Sequence, residues 1–234
     1  ARGISEIVIA YGDEAPPALF QQVIACYTKG IVLVPMSDLF EQITGRVPIE
    51  HVDERLWAHV LPLEGYRLTY HVYLLAKRAM DICFALIGVL LFLPFLPFLA
   101  LLIKLDSRGP VFYRQERVGR GGRIFGVIKF RSMVLDAEHG TGPQWAQTHD
   151  PRITRFGALL RRTRLDEVPQ LVNVLKGDMS FVGPRPERSA FIDMLSTEIP
   201  FYRSRLVIKP GLTGWAQVRY RYGNTTADQL RKLQ

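Results

Sequence analysis

The sequence predicts an α/β protein that carries a membrane re-entrant helix hairpin. Three observations lead to this prediction. Residues 1–35 alternate between strand-like and helix-like patterns, residues 82–103 form an apolar run without a charge, and a stretch of alternating apolar and basic residues follows that run. We therefore expect a partial α/β domain over residues 1–65. A second, small domain of mixed and largely helical structure is expected at a membrane surface over residues 66–234.

The first part of the chain has a strand–helix–strand pattern. Residues 4–9 have the length of a short buried strand, Pro16 and Pro17 open a helical pattern that ends at Gly30, and residues 31–35 are a second apolar run. Proline in the first turn and glycine after the last are typical helix boundaries. A strand, a helix and a strand over about 30 residues indicate a βαβ unit. Because no glycine-rich phosphate loop follows the first strand, we interpret this part as a partial Rossmann-like domain with a regulatory or dimerisation role.

The composition indicates an anionic partner. The 234 residues include 30 lysines and arginines against 22 acidic residues, which gives a formal net charge of +8, and 48% of them are hydrophobic. Such a balance is typical of proteins that bind nucleic acid, an anionic membrane surface or phosphorylated substrates.

The cysteine and histidine content argues against a disulfide framework and against a metal site built on these residues. Cys26 and Cys83 lie far apart in apolar stretches, and the five histidines show no ligand spacing. This usage fits a reducing, cytoplasm-facing location. The chain begins without Met and shows no signal peptide, and we expect it to be a piece of a longer protein.

The apolar run is long enough to cross a membrane but contains helix breakers. As one helix, residues 82–103 would be about 33 Å long, against a hydrocarbon core of about 30 Å. Pro94 and Pro97 lie near its middle, and each removes a helical hydrogen bond. Both flanks are basic, so the positive-inside rule places both ends on the cytoplasmic side. We therefore predict a re-entrant hairpin over about residues 76–105 with a kink at these prolines; a true span and a buried soluble helix are the alternatives.

A strand pair is predicted directly after the apolar run. Residues 109–133 alternate apolar and basic side chains around a glycine-rich turn, which indicates a β-hairpin with one apolar and one cationic face. Lys129 and Arg131 are two residues apart and would share a strand face. The basic face could rest on anionic lipid headgroups, and these two side chains could bind a phosphate. The two interpretations are compatible, and both stay open.

Carboxylates and arginines come together after residue 160. Asp166 and Glu167 are adjacent and directly follow a group of arginines, namely Arg161, Arg162 and Arg164. In a continuous helix Arg162 would share the face of Asp166. Opposite charges nearby would lower the pKa values of both carboxyl groups and keep them ionised.

A rigid turn presents another arginine. Arg185 lies between Pro184 and Pro186, whose fixed backbone angles limit its freedom, and a guanidinium fork suits phosphate oxygens. A third turn-rich segment carries Lys209 and Trp215. Charges of this kind most often form a solvated ion-pair patch. Beside a membrane segment they also fit an active site in which arginines bind phosphate and carboxylates bind a metal or attack a phosphorus atom.

Five ordered stretches of the chain resemble one protein family. They are KRAMDICFALIGVLLFLPF, GPVFYRQERVG, FGVIKFRSM, RRTRLDEVPQLVNVLKGDMSFVGPRPE and KPGLTGWAQV. In this order they are similar to the bacterial sugar transferases, the monotopic phosphoglycosyl transferases that act as polyprenyl-phosphate sugar-1-phosphate transferases. The resemblance covers residues 73–220. Residues 1–65 resemble the later part of the nucleotide-binding-like domain of the long-form members.

The resemblance implies an activity and its residues. It implies transfer of a sugar 1-phosphate from a UDP-sugar to polyprenyl (undecaprenyl) phosphate, through a covalent phosphosugar–aspartyl intermediate on Asp166. Mg²⁺ would be held partly by Asp166 and would neutralise the diphosphate, whereas Glu167 would orient the metal or the nucleophile or transfer a proton. Arg161 and Arg185 are implied to bind substrate phosphates, and Pro94 to break the membrane helix.

The resemblance also implies a location and partners. We expect the bacterial inner membrane, with the active site on its cytoplasmic face, and a role in the first membrane step of polysaccharide or glycoconjugate assembly. The expected partners are the UDP-sugar, polyprenyl phosphate, membrane lipids and a second copy of the chain as a homodimer. Nucleic acid is not expected, because no RNP, helix-turn-helix or zinc pattern is present. The alternative function is a non-catalytic membrane-peripheral scaffold that binds anionic lipid. The sequence does not identify the sugar.

Overall fold

The computed structural model of the chain describes residues 4–10, 22, 23, 26, 31–45, 67–135, 137, 150–199, 201–220 and 226–233. The chain divides into two units, residues 1–63 with residue 234, and residues 64–233. The helix predicted over residues 16–30 lies largely outside the described residues, although residues 22, 23 and 26 are helical.

The first unit contains a parallel strand pair and a helix. Strands β1 (Glu6–Ile9) and β2 (Val32–Pro35) pair in parallel, and helix α1 (Met36–Thr44) follows β2 directly. Branched apolar residues dominate both strands, as strand propensity favours. Gly45 ends α1 in the left-handed region at a φ of 66°, a conformation that glycine adopts without steric cost. The two predicted strands are confirmed, but the burial predicted for the first is wrong, because the residues of β1 are exposed or half-buried. The regulatory or dimerisation role of this domain stays a prediction.

The second unit begins with a long apolar helical segment. Helix α2 (Arg67–Phe92) leads into a 3₁₀ turn (Leu93–Phe95) and helix α3 (Leu96–Asp106). Pro94 lies in this 3₁₀ turn and Pro97 in the first turn of α3, where the missing N–H of proline is tolerated. Over residues 71–106 the segment is long and apolar enough to cross a membrane, by length and composition, and it is the one such stretch in the described part of the chain.

Short strands and helices form the rest of the second unit. Strands β3 (Phe112–Val118) and β4 (Ile124–Phe130) form an antiparallel hairpin around a 3₁₀ turn (Arg120–Gly122). Strands β5 (Ser180–Val182) and β6 (Gly211–Thr213) pair in parallel. The elements that follow the hairpin are α4 (Arg155–Arg162), a 3₁₀ turn (Leu165–Glu167), α5 (Gln170–Lys176), β5 (Ser180–Val182), α6 (Ser189–Glu198), a 3₁₀ turn (Tyr202–Leu206), β6 (Gly211–Thr213), α7 (Trp215–Arg219) and α8 (Thr226–Leu233).

The hairpin is confirmed, but its faces do not divide into an apolar and a cationic one. Arg114 and Phe130 lie on one face, and Val127 and Lys129 lie on the other. The physical reason is that other elements cover part of each face. Phe130 packs against residues of α3 and α4, and Val127 packs against residues of α2 and α5.

Among the described residues, three apolar clusters hold the second unit together. One joins α2, β4 and α5, a second surrounds Tyr202 beside α6, and a third joins α3 to β4 and α4. Their buried members are Ala85, Val127, Leu171, Val174 and Met179 in the first, Val118, Ile192, Leu195, Ile199 and Tyr202 in the second, and Leu99, Ile103, Phe130 and Leu160 in the third. Full burial of one such large side chain stabilises the fold by about 1.5–3 kcal/mol.

Polar contacts attach the start of the apolar segment to the same unit. Asp81 is buried and accepts hydrogen bonds from the Ser180 hydroxyl at 3.1 Å and from the Phe181 N–H at 3.0 Å. Arg78 donates to two carbonyl groups in the last turn of α5, at 2.6 and 2.7 Å. A cation at this position also interacts favourably with the helix dipole.

The far end of the segment is attached in a similar way. Arg131 donates to the carbonyl oxygens of Ile103 at 3.2 Å and Ser107 at 2.5 Å, and Asp106 accepts a hydrogen bond from the Phe156 N–H at 3.0 Å. Both ends of the apolar segment therefore contact the elements that follow it in the same unit, residues 64–233.

Candidate active site

Asp166 and Glu167 lie in a buried 3₁₀ turn between α4 and α5. Helix α4 ends at Arg162, and Arg164 then adopts a φ of 60°, which is uncommon for a residue with a side chain. The expectation that Arg162 shares a helical face with Asp166 is wrong, because the helix ends between them. Asp166 and Glu167 are only 7% and 8% exposed, so they do not form a solvated surface patch. Backbone strain next to buried carboxyl groups is a feature of many functional sites.

Glu167 is surrounded by cations from different elements. Its Oε1 lies 2.6 Å from Nη2 of Arg185, 3.3 Å from Nζ of Lys129 and 3.9 Å from Nη1 of Arg164. Burial acts to raise the pKa of Glu167, but Arg185 and Lys129 outweigh it and lower that pKa to about 2. Glu167 is therefore a carboxylate at neutral pH, and the predicted lowering of its pKa is confirmed.

Asp166 has a different environment from its neighbour. Burial raises the pKa of Asp166 above its ordinary value, against the opposing charge of Lys129 and with the support of Glu167. The predicted lowering is wrong here, because desolvation disfavours the charged form more than the nearby cations favour it. Among the described residues, no hydrogen-bond partner reaches the buried Oδ1 of Asp166. That oxygen has lone pairs available for a ligand.

The residues present fit the Mg²⁺ ion that the family resemblance implies. Protein-bound Mg²⁺ commonly takes one or two carboxylates and fills its other positions with water and substrate phosphates. No group of three potential ligands among His, Cys, Asp and Glu occurs in the described ranges, so a cage made only of protein ligands is not formed by them. The unpartnered Oδ1 of Asp166 provides the one carboxylate oxygen that such a substrate-assisted site needs.

Arg185 stands on a turn that other elements hold in place. The carbonyl oxygens of Pro184 and Glu187 accept hydrogen bonds from backbone N–H groups of β6 and β3, both at 2.9 Å. The carbonyl oxygen of Arg185 accepts one from Arg205 at 2.8 Å. Arg205 also lies 4.8 Å from the ring centre of the buried Tyr202. These contacts fix the backbone from which Arg185 reaches Glu167.

The two other arginines proposed to bind phosphate lie further from Glu167. Nε of Arg161 donates to the Ser132 hydroxyl at 2.9 Å. Arg131 follows the last residue of β4 and is 6% exposed, and it donates to the carbonyl groups at the end of α3 described above. The structure thus does not bring Arg131 together with Lys129. Phosphate binding by Arg131 and by Arg161 stays a prediction.

The third turn-rich segment lies beside the turn that carries Arg185, because the Gly211 N–H donates to the Pro184 carbonyl at 2.9 Å. Burial lowers the pKa of Lys209, the charges of Arg78 and Arg120 add to this shift, and Asp81 opposes it. Trp215 is 70% exposed, and the guanidinium of Arg219 lies 5.4 Å from the centre of its ring.

Asn173 is a supporting residue that sequence reasoning missed. It is 1% exposed, its Oδ1 accepts a hydrogen bond from the Ile128 N–H at 3.0 Å, and its Nδ2 donates to the Gly126 carbonyl at 2.8 Å. These two bonds fasten β4, which carries Lys129, to α5, which follows Glu167. The signal in the sequence was one amide inside the apolar stretch LVNVL.

The comparisons with known proteins identify the family. The family model described as bacterial sugar transferase matches residues 72–234. The chain therefore belongs to the bacterial sugar transferase family.

Curated relatives add the activities recorded in their names. A UDP-N-acetylgalactosamine-undecaprenyl-phosphate N-acetylgalactosaminephosphotransferase of Aeromonas hydrophila is 44% identical over 209 residues, covering 89% of this chain and 48% of the relative. A UDP-glucose:undecaprenyl-phosphate glucose-1-phosphate transferase of Escherichia coli is 42% identical over 207 residues, covering 88% of this chain and 43% of the relative. The chain thus spans about half the length of these relatives. Their names differ in the sugar.

Proposed function

We propose that the protein transfers a sugar 1-phosphate from a UDP-sugar to undecaprenyl phosphate or another polyprenyl phosphate, as the first membrane step of polysaccharide or glycoconjugate assembly. The observation that carries this proposal is the buried Asp166 with an unpartnered oxygen, beside Glu167 and its cations Lys129 and Arg185. Two relatives with 44% and 42% identity bear this type of activity in their names.

The chemistry follows from a carboxylate nucleophile. An oxygen of Asp166 attacks the phosphorus atom that carries the sugar, and the bond from that phosphorus to the bridging oxygen breaks. UMP leaves with the electron pair, and a phosphosugar–aspartyl mixed anhydride (an acyl phosphate) remains. A phosphate oxygen of the polyprenyl phosphate then attacks the same phosphorus atom. The bond to Asp166 breaks, which restores the carboxylate and gives a polyprenyl-diphospho-sugar.

The neighbouring residues have separate roles in this reaction. Lys129 and Arg185 bind the phosphate oxygens and reduce the repulsion between them and the nucleophile. Glu167 holds these two cations in place, and with a pKa of about 2 it is a poor proton acceptor at neutral pH. Mg²⁺, held by Asp166 and the diphosphate, would supply charge neutralisation and a better leaving group.

A re-entrant membrane topology suits polyprenyl phosphate as the acceptor. Contacts of both ends of the apolar segment with one folded unit support a re-entrant hairpin with its kink at Pro94 and Pro97. Such a hairpin leaves the dyad on the side where its own basic flanks lie, the cytoplasmic face of the inner membrane. A lipid-linked phosphate at the membrane surface would then meet Asp166 without leaving the bilayer.

The test is UMP release by the full-length, membrane-bound protein from a panel of UDP-sugars, with Mg²⁺ and a short polyprenyl phosphate. We expect release with at least one sugar and a fall of about a thousandfold or more in the Asp166→Asn variant, which still binds membranes. Mass spectrometry of the wild type without acceptor should detect the phosphosugar adduct. Equal UMP release by the Asp166→Asn variant would refute the role of Asp166 as the nucleophile. If folded protein releases no UMP from any UDP-sugar of the panel, the result would favour the non-catalytic scaffold.

A further inference from the structure

We propose that the nucleotide part of the donor binds in a groove between β3 and the start of α6. The groove contains a cavity of about 300 Å³. Its walls are residues 113–118 of β3, Ile124 of β4, and residues 188–190 at the start of α6. This inference rests on the proposed function and adds to it the place where the leaving group is recognised.

The chemistry of the walls suits a nucleoside phosphate. They include the arginines Arg114, Arg117 and Arg188, and Glu116 is the one acidic residue among the described wall residues. Arginine guanidinium groups match phosphate oxygens, and the ring of Tyr113, which is 45% exposed, offers a face for a base. The volume is at the lower end of the range of about 300–1,000 Å³ typical of small-molecule sites. A mononucleotide fits such a space better than a long lipid chain does.

Two wall residues connect the groove to the catalytic cluster. Tyr113 pairs across the hairpin with Lys129, whose Nζ lies 3.3 Å from Glu167. Arg117 lies 3.8 Å from Glu187, which directly follows the turn that carries Arg185. A donor whose diphosphate lies between Lys129 and Arg185 can therefore place its nucleotide along β3.

The groove is long enough for a nucleoside monophosphate. From Tyr113 to Val118 the strand extends about 17 Å towards the hairpin turn, enough for a nucleoside monophosphate. The opposite end of the hairpin faces the membrane segment, because Phe130 contacts Phe92 of α2 with ring centres 6.0 Å apart.

The test measures UMP affinity and steady-state kinetics on the full-length protein in lipid nanodiscs. The variants are Arg188→Met and Tyr113→Ala, with Arg188→Lys as the conservative change. The matched control is Arg203→Met, an exposed arginine of the same unit that pairs with the exposed Asp193. Calorimetric titration with UMP gives the affinity, and UMP-release kinetics give KM for the donor and for the acceptor.

We expect UMP binding to weaken by about tenfold in Arg188→Met and Tyr113→Ala. KM for the donor should rise by a similar factor, while KM for the acceptor and the melting temperature stay unchanged. Arg188→Lys should retain part of the affinity, and the control should match the wild type. If the enzyme is active and both variants bind UMP as tightly as the wild type, the proposed nucleotide site is wrong, whereas the proposed function stands. A wild type that neither binds UMP nor releases it would overturn the proposed function as well.

Discussion

Asp166 and Glu167 are adjacent, yet their carboxyl groups have opposite pKa shifts. Glu167 Oε1 is 2.6 Å from Arg185 and 3.3 Å from Lys129, whereas burial dominates at Asp166. Environments that separate the pKa values of two neighbouring acids commonly mark different roles. We infer that Glu167 is a positioning residue and that Asp166 is the group that meets the substrate.

The role of Glu167 leads to a kinetic prediction. In Glu167→Gln the neutral amide no longer holds Lys129 and Arg185, so kcat should fall by about tenfold to a hundredfold. Because the pKa of Glu167 is about 2, this residue stays ionised from about pH 6 to 9. The shape of the kcat/KM profile over that range should therefore be the same in variant and wild type. The measurement is UMP release as a function of pH.

The control for this prediction is Asp193→Asn, since Asp193 is an exposed acid of the same unit. It should leave both rate and pH profile unchanged. A general-base role for Glu167 would show itself differently. The acidic limb of the profile would disappear in Glu167→Gln, and that result would contradict the positioning role.

The residues of the site also show what the sequence can and cannot predict. The adjacent acids and the Pro-Arg-Pro turn were visible because they are local features of the chain. The raised pKa of Asp166 was not, because it depends on burial by elements that are distant in sequence. Arg131 was misplaced for a related reason: β4 ends at Phe130, and the carbonyl groups of α3 bind the guanidinium.

At the scale of elements, Asn173 couples α5 to β4. Loss of its side chain in Asn173→Ala would leave the Ile128 N–H and the Gly126 carbonyl without this partner. Each buried unsatisfied group costs about 1–3 kcal/mol, so we expect a loss of about 2–4 kcal/mol in the free energy of unfolding. Because β4 carries Lys129, kcat should fall by more than KM for the donor rises. Denaturant unfolding and UMP-release kinetics measure the two effects.

Val172→Ala provides the control on the same helix, because Val172 is an exposed neighbour without a side-chain hydrogen bond to lose. It should change stability and turnover only slightly. If Asn173→Ala loses stability but keeps normal kcat below its melting temperature, then Asn173 stabilises the fold without positioning Lys129.

Local patterns explain why some of the elements could be predicted. The parallel strands β1 and β2, the hairpin of β3 and β4 and the change in helix geometry at Pro94 follow from apolar alternation, glycine and proline. The distribution of residues over the hairpin faces does not follow from them. It depends on which elements pack on each face, as Phe130 on α3 and α4 and Val127 on α2 and α5 demonstrate.

In the second unit as a whole, both ends of the apolar segment contact the same folded part of the chain. At a rise of about 1.5 Å per residue, its 36 residues would be about 54 Å long if straight. A segment that crossed the membrane would carry its ends to opposite sides. Instead, Asp81 near the start contacts β5, and Asp106 at the end contacts α4. Both contacts belong to the same folded unit, which favours entry and exit on one side.

This argument predicts the accessibility of both ends. In a Cys26→Ser, Cys83→Ser background, single cysteines introduced as Tyr73→Cys and Arg108→Cys flank the apolar run at exposed positions. In inverted and right-side-out vesicles, a membrane-impermeant maleimide should label both cysteines from the cytoplasmic side alone, because one folded unit holds both ends. Labelling of the two positions from opposite sides would establish a true span. Since the contacts of Asp81 and Asp106 cannot both form across a bilayer, that result would also require the catalytic unit to fold differently in the membrane.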